Sequence, residues 1–529
     1  MKTPIKLVSL LYLAVICTSH ISGQPSAHSV LSSGKWYKIG INTTGVYKLT
    51  VGDLNSLNGV AISKIAIYGL RGGILDEVNY SSTPDDMIQY PIWIQDNNRN
   101  GIFDGSDYLI FFAEGANVWQ YDATNNRFSY LHNPYCNTNY CYLTTTETSP
   151  TRITSTAPCQ PGLYPISRYT AVAVHDNDLT NAYGSGRIYV GEQFSAAVPN
   201  RAIALTIDPI PQGGTINCHF AFANMNAANS QVVLSLGSES YTTALPAEIG
   251  YNTNVHRFTS DGSTSLLFNI QYRPSEPQGD GYLDYIETNH LALLSYRSGQ
   301  HIYHFSPEDS NKTYIISNCQ SNTLLRDISS PYNVRQIPTT AGTTTFSFKG
   351  DSDHRLAAFT EHDCFKPSSI SPIENQDLHS LPNVDYVIVT HPKYLPQSQQ
   401  LANLHQTQSM LDVAVVTDQQ VFDEFSSGRQ DPIAIRQLMR VLYLRSQRNP
   451  SLKAPKYLLL FGKGTYDNRN IEGNNETTVV TYESVSSFSE SSSFCSDDFF
   501  GYLDNGESGE SAADKLDISI GRLPARNTE

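Results

Sequence analysis

Three runs of this sequence are apolar at nearly every position: Tyr386-Val387-Ile388-Val389-Thr390, Val413-Ala414-Val415-Val416-Thr417 and Tyr457-Leu458-Leu459-Leu460-Phe461-Gly462. A strand with one wet face alternates apolar and polar residues, so an unbroken run must be covered on both faces. Between the runs, residues 396–409 have helical spacing. Asp431-Pro432 opens a second helix, with Asp as N-cap and Pro at the first position; Ile435, Leu438, Met439 and Leu442 form its apolar stripe. Leu516-Asp517-Ile518-Ser519-Ile520 predicts a further strand. Alternating strands and helices from 376 to 529 imply a mostly parallel, layered sheet, with functional groups at the carboxyl ends of its strands.

Upstream the pattern is different. From about 31 to 375 short strands such as Trp36-Tyr37-Lys38-Ile39, Ile65-Ala66-Ile67-Tyr68 and Ala202-Ile203-Ala204-Leu205-Thr206-Ile207 alternate with Gly, Asn and Ser clusters, and no long amphipathic helix emerges. That is the signature of β-sandwich modules. A Pro-rich break near 150–165 divides them, and the Pro/Ser-rich segment 367–382 reads as a linker. The expected organisation is thus a signal peptide at 1–23, an N-terminal β domain at 24–155, a second β domain at 156–375 and an α/β domain at 376–529. The fold class is multidomain: all-β, sandwich-like domains followed by α/β.

The leader rests on Lys2 and Lys6 ahead of the apolar run from Leu7 to Ile16, with small Ser22 and Gly23 before the expected cleavage at Gln24. The run is too short to span a bilayer, and Ile16 is too bulky to precede a lipidated Cys17. A net charge of -15 argues against nucleic-acid binding, which needs basic patches. The cysteines after the leader (Cys136, Cys141, Cys159, Cys218, Cys319, Cys364 and Cys495) are odd in number and show no metal-binding spacing. Cys136 and Cys141 are either a local disulfide or packed thiols.

One loop has the chemistry of a cation site. Asp96-Asn97-Asn98-Arg99-Asn100-Gly101-Ile102-Phe103-Asp104-Gly105-Ser106-Asp107 matches a twelve-residue calcium loop. Asp96, Asn98, Asn100, Asp104 and Asp107 supply side-chain oxygens, Ile102 its carbonyl, and Gly101 the sharp turn. Strand-like flanks make this a hairpin, with structural calcium or with a plain Asn/Gly turn. Gly462-Lys463-Gly464-Thr465 looks like a phosphate loop but lacks the full spacing, so it reads as a strand-end turn. Asp497-Asp498 is an acidic pair that suits either a cation or a solvated loop. Cys495 beside it is a poor nucleophile, because neighbouring carboxylates hold a thiol protonated.

Taken in order, SGKWYKIGINTTGVYKLT (33–50), SGRIYVGEQF (185–194), DYVIVTHP (385–392), DEFSSGRQDPIAIRQLMRVLY (423–443), YLLLFGKGTYDNR (457–469), SDDFFGYLD (496–504) and LDISIGRLPAR (516–526) resemble the gingipain family of cysteine peptidases. The early segments favour its sortase-like branch, which serves type IX secretion in Bacteroidetes. The resemblance implies a caspase-like α/β fold and a His–Cys dyad without a catalytic cofactor. It places the His in a His-Gly turn and the Cys at a strand end, both downstream of the GRLP-like strand. Here no His precedes Gly and no Cys follows Cys495, so this chain is expected to be the inactive N-terminal part of a longer enzyme. It is also expected to be partly unstable in its α/β portion. The family's His-orienting acid corresponds to Asp517, which could equally be an exposed strand carboxylate; Lys463 stands where relatives usually carry Asp. The implied partners are type IX cargo with C-terminal sorting domains, outer-membrane secretion components and a lipopolysaccharide acceptor, and the implied location is the outer membrane or cell surface. Two other readings stay open: a secreted gingipain-like protease with a β propeptide, and a β-rich surface binding protein with a degenerate α/β domain.

Overall fold

The computed structural model describes residues 26–528 other than 81–82, 159–163, 227, 247–248, 474–475, 477 and 490. The expected leader, Cys17 and Cys159 lie outside the described residues.

Alternation builds the β region. In Ser265–Arg273 the odd-numbered Leu267 is exposed while Leu266, Phe268, Ile270 and Tyr272 are buried, as a strand on one face of a sandwich requires. It belongs to a four-stranded sheet that shares a core with the face of a ten-stranded sheet through Phe220, Phe222, Leu283 and Ile286. The first β unit pairs a five-stranded sheet with a three-stranded one around Ile39, Leu49, Ile67, Leu109, Phe111 and Leu143. Segment 367–382 corrects the expectation of a linker. Ile370–Ile373 is a strand antiparallel to Trp36–Ile41, at the edge of the first sheet. Pro372 is tolerated there because an edge strand does not need every N–H.

The α/β domain contains β1 (Tyr386–Thr390), α1 (Leu395–Gln408), β2 (Val413–Thr417), α2 (Asp418–Phe425), α3 (Pro432–Arg448), β3 (Tyr457–Phe461) and β4 (Ser519–Leu523). All four strands are parallel, in the order β2-β1-β3-β4. Val387, Val389, Leu458 and Leu460 face the core under α3, while Ile388 and Leu459 face Ala402 of α1, so both faces are covered as the apolar runs demanded. Asp431 caps α3 by accepting the Ile433 N–H at 2.9 Å. Helix α2 was not expected; a capping box between Thr417 and Gln420 starts it. The last strand is also corrected. It begins at Ser519, three residues later than its alternation suggested, because Tyr457 pairs with Ser519 and fixes the register.

Candidate active-site scaffold at the sheet's carboxyl ends

The carboxyl ends of β1, β2 and β3 point towards the first β unit. Between them lies a cleft of about 650 Å³ lined by His391, Asp418 and Phe422 on one side and by Lys38, Tyr140 and Cys136 on the other, with Asn468 and Arg469 at its end. Asp418 follows β2 directly and is 6% exposed. Burial without a cationic partner raises its carboxyl pKa to about 7. His391 follows β1 and accepts the Lys393 N–H through Nδ1 at 3.2 Å; burial and then Lys393 lower its pKa. Across the cleft, Lys38 and Tyr142 both donate to Asp423 Oδ1 at 2.6 Å, tying the first sheet to α2.

Arg522 of the IGRLP motif organises the loops at β3 and β4. Its Nε and Nη2 donate to the two oxygens of Asp497 at 2.7 Å each. Nη1 donates to the carbonyls of Gly462 and Val479, and Nη2 also to that of Val480. All five guanidinium protons are thereby placed, a geometry that lysine cannot reproduce. This gives two sequence features their meaning. Asp497 of the acidic pair is a structural partner of Arg522, and Gly462-Lys463-Gly464-Thr465 is a strand-end turn whose Lys463 carbonyl accepts the Val479 N–H.

The second β unit reaches the same loops. Arg187 N donates to the Ser484 carbonyl at 3.1 Å and Ile188 N to Ser487 Oγ at 2.8 Å. Gly186, where these two segments meet, has φ +73°, and a Cβ there would stand 2.2 Å from the Ser486 carbonyl, so only glycine fits. Cys495 donates to Glu483 Oε2 at 2.9 Å. Burial, then Glu483, raises its thiol to about 12. The carboxylate opposing a thiolate is thus Glu483 and not the adjacent Asp497 or Asp498. Burial also raises Cys136 and Cys364 to about 12, and pushes Cys141, Cys218 and Cys319 upward. None of these six described thiols is set up as a nucleophile. Cys136 and Cys141 are both free and buried, so the packed-thiol alternative holds and the local disulfide does not.

Asp517 lies two residues before β4 begins, at the amino end of the parallel sheet, whereas the cleft lies at the carboxyl ends. It accepts from Tyr443 Oη at 3.1 Å and from Leu503 N at 3.0 Å. Neither an exposed strand carboxylate nor a group facing the cleft describes this placement; Asp517 ties the 503–517 loop to α3.

In the 96–107 loop, Asp96 accepts the N–H groups of Asn100 and Gly101, and Asp107 those of Asn97 and Asp104. Asp104 accepts the Ser106 N–H and hydroxyl and the amides of Asn98 and Asn100, which lower its pKa to about 2. The Asn100 side-chain oxygen accepts from Ile102 N at 2.7 Å. The donor set is all oxygen, as a hard cation needs. Turning the Asn98 and Asn100 amides over would present their oxygens towards Asp104.

Among the described residues, two other groups bring histidine and carboxylate ligand atoms close together: His132 with Asp176 and Asp178, and His379 with Asp377 and Glu424. In the first, His132 Nδ1 lies 3.1 Å from both carboxylates while Arg469 Nη1 donates to Nε2 at 2.8 Å. The proton must therefore sit on Nδ1, leaving that nitrogen no lone pair for a metal. In the second, Nδ1 faces Glu424 at 2.8 Å and Nε2 faces the Asp85 carbonyl at 2.9 Å, so both nitrogens are used within the protein.

Residues 379–529 match the sequence family described as Peptidase family C25. No curated protein matches the chain. Among solved structures it is similar to dimeric latent PorU from Porphyromonas gingivalis, with a TM-score of 0.84 and 23% identity over 96% of this chain and 49% of that one. This chain therefore spans about half the length of that PorU chain. A CBM36-1 domain of a multidomain xylanase from the hindgut metagenome of Trinervitermes trinervoides is also matched, at a TM-score of 0.17 and 14% identity over 22% of this chain and 95% of that domain. That overlap is too slight to bear on the fold. The architecture is the one the sequence implied, all-β domains followed by a caspase-like α/β domain.

Proposed function

Residues 379–529 carry a peptidase family C25 domain, and from that premise we propose that this chain is the N-terminal part of a PorU-like cysteine endopeptidase and sortase. In this reading the whole enzyme removes C-terminal sorting domains from type IX secreted cargo at the outer membrane. It then passes the new C-terminus, held as a thioester on the catalytic cysteine, to a lipopolysaccharide acceptor. The observation that carries the reading is the reach of the PorU likeness, which covers 96% of the chain and so includes both β units as well as the peptidase segment. The chemistry of the described residues agrees with a division of labour. Their thiols are all held protonated, while Arg522 and Asp497 fix the loops beside β3 and β4 where such a fold gathers its catalytic groups.

The test is direct. Purified protein of this sequence is expected to leave a sorting-domain substrate intact and to be insensitive to a thiol-directed inhibitor, whereas a longer product containing a downstream His and Cys cleaves it. Thiol-inhibitor-sensitive cleavage by this chain alone would overturn the assignment. We also propose that the 96–107 loop takes structural calcium through Asp96, Asn98, Asn100, the Ile102 carbonyl, Asp104 and Asp107. Calorimetry of the whole chain should register binding at or below millimolar calcium that Asp104→Ala abolishes; an absence of heat would refute the site.

A further inference from the structure

Under the Val118–Asp122/Arg127–Leu131 hairpin, where it meets the second β unit, lies a cleft of about 400 Å³. Its walls include Trp119, Tyr130, Thr43, Asn117, His304 and Arg355. Trp119 and Tyr130 are a cross-strand pair with ring centroids 5.3 Å apart, both half-buried, and Trp119 lies 6.4 Å from the His304 ring.

His304 is the anomaly. It is 5% exposed, and its side chain makes no hydrogen bond to any described residue; Nδ1 in particular is buried without a partner. A neutral imidazole wants a partner at each nitrogen, and leaving Nδ1 buried without one is costly. Burial, and after it Arg355, depresses its pKa to about 3, so the ring stays neutral at physiological pH. Arg355 is already committed to Glu114 Oε1 at 2.7 Å. The cleft therefore offers no free charge. It offers aromatic rings, neutral amide and hydroxyl groups, and an imidazole with a buried, unmet Nδ1.

We propose that this cleft binds a neutral saccharide, with a sugar ring against Trp119 and Tyr130 and its hydroxyls meeting His304. A sugar hydroxyl both donates and accepts, which is what a neutral imidazole lacks here, and the C–H face of the ring suits an aromatic platform. The volume lies within the range of small-ligand sites. An anion is disfavoured because Arg355 is paired and His304 resists protonation; a cation is disfavoured because no free carboxylate lines the walls. The inference concerns the β region alone and is independent of the peptidase reading.

The whole chain should be titrated with mannose, galactose, N-acetylglucosamine and their disaccharides, followed by calorimetry and tryptophan fluorescence. At least one sugar is expected to bind saturably. His304→Phe, which keeps the volume and removes the unmet polar atoms, should weaken that binding by about tenfold or more without lowering the melting temperature. Trp119→Ala should abolish the fluorescence response. Purified lipopolysaccharide as competitor separates the sources: displacement assigns the site to a surface glycan, and no displacement assigns it to free saccharide. If no sugar of the panel binds, or if binding survives His304→Phe unchanged, the site is not a saccharide site. His304 would then be satisfied by water.

Discussion

Arg522 directs five hydrogen bonds at Asp497 and three backbone carbonyls, and its replacement is the sharpest local test. Arg522→Lys keeps the charge but cannot grip Asp497 with two parallel bonds or reach three carbonyls. Denaturant titration should record a loss of about 2 kcal/mol, and Asp497→Asn should lose a similar amount. Asp418 makes the opposite case. Its folded pKa of about 7 lies above that of an unfolded aspartate, so the folded state holds the proton more tightly. Stability is therefore lost as pH rises from about 4 through 7. Asp418→Asn removes that slope, and the variant should gain about 4 kcal/mol at pH 8 and almost nothing near pH 4. An unchanged pH profile would contradict the burial argument. At this scale the sequence was legible in type but not in pairing. IGRLP and SDDFF both stood out as motifs, yet nothing in the residues themselves joins Arg522 to Asp497, 25 positions away. Asp517 comes from its correspondence to a family position just before the IGR turn, and such a correspondence says nothing about which end of the strand the side chain occupies.

Elements with a two-sided apolar run or a strong cap were readable, and those set by partners were not. β1, β2, β3 and α3 fall where the pattern put them, because burial on both faces or an Asp-Pro start leaves little choice. β4 slipped by three residues, since Leu516, Ile518 and Ile520 alternate as well as the true strand does and only pairing with β3 settles the register. The edge strand Ile370–Ile373 was masked by Ser and Pro that an edge can accept. Helix α2 had one signal, the Thr417/Gln420 capping box, and that box also places Glu424. Glu424 is wholly buried and accepts the Leu378 N–H at 2.8 Å while facing His379 Nδ1. Burial lowers the His379 pKa, but Glu424, Asp86 and the Asp85 carbonyl outweigh it, and the net shift is upward. A raised histidine contributes its stability fully below the unfolded value of about 6.5 and loses it as pH climbs through the folded value. His379→Phe strands the Glu424 carboxylate and should cost about 3–5 kcal/mol at pH 6, less in alkali, while adding Glu424→Leu should recover most of the loss. Equal losses at pH 6 and pH 9 would refute the ion pair.

Which surfaces the units present to one another was not legible at all, because sequence carries no record of how separate cores dock. The expectation of a partly unstable α/β portion rests on missing strands that would leave a sheet edge unpaired; at the other side of that portion all three units meet in one partly buried network. His132 comes from the first β unit, Asp176 and Asp178 from the second, and Arg469 from the α/β domain. Arg469 is only 3% exposed at its side chain and lies 5.2 Å over the Tyr189 ring. Burial raises the Asp178 pKa, and Arg469 is the largest influence opposing that rise. Removing the guanidinium therefore leaves two close carboxylates without the counter-charge that Arg469 supplies. The units have separate cores, so this loss should appear as lost coupling and not as global collapse. Calorimetry of the parent is expected to give one cooperative transition. Arg469→Ala should split it, with the α/β domain melting first and the β units close to their original temperature. Adding Asp178→Asn to Arg469→Ala should bring the two transitions back together, because the repulsion between carboxylates is gone. A single, unshifted transition in Arg469→Ala would mean that the junction only fills space, and that the Lys38–Asp423 contact and the Gly186 insertion hold the units together.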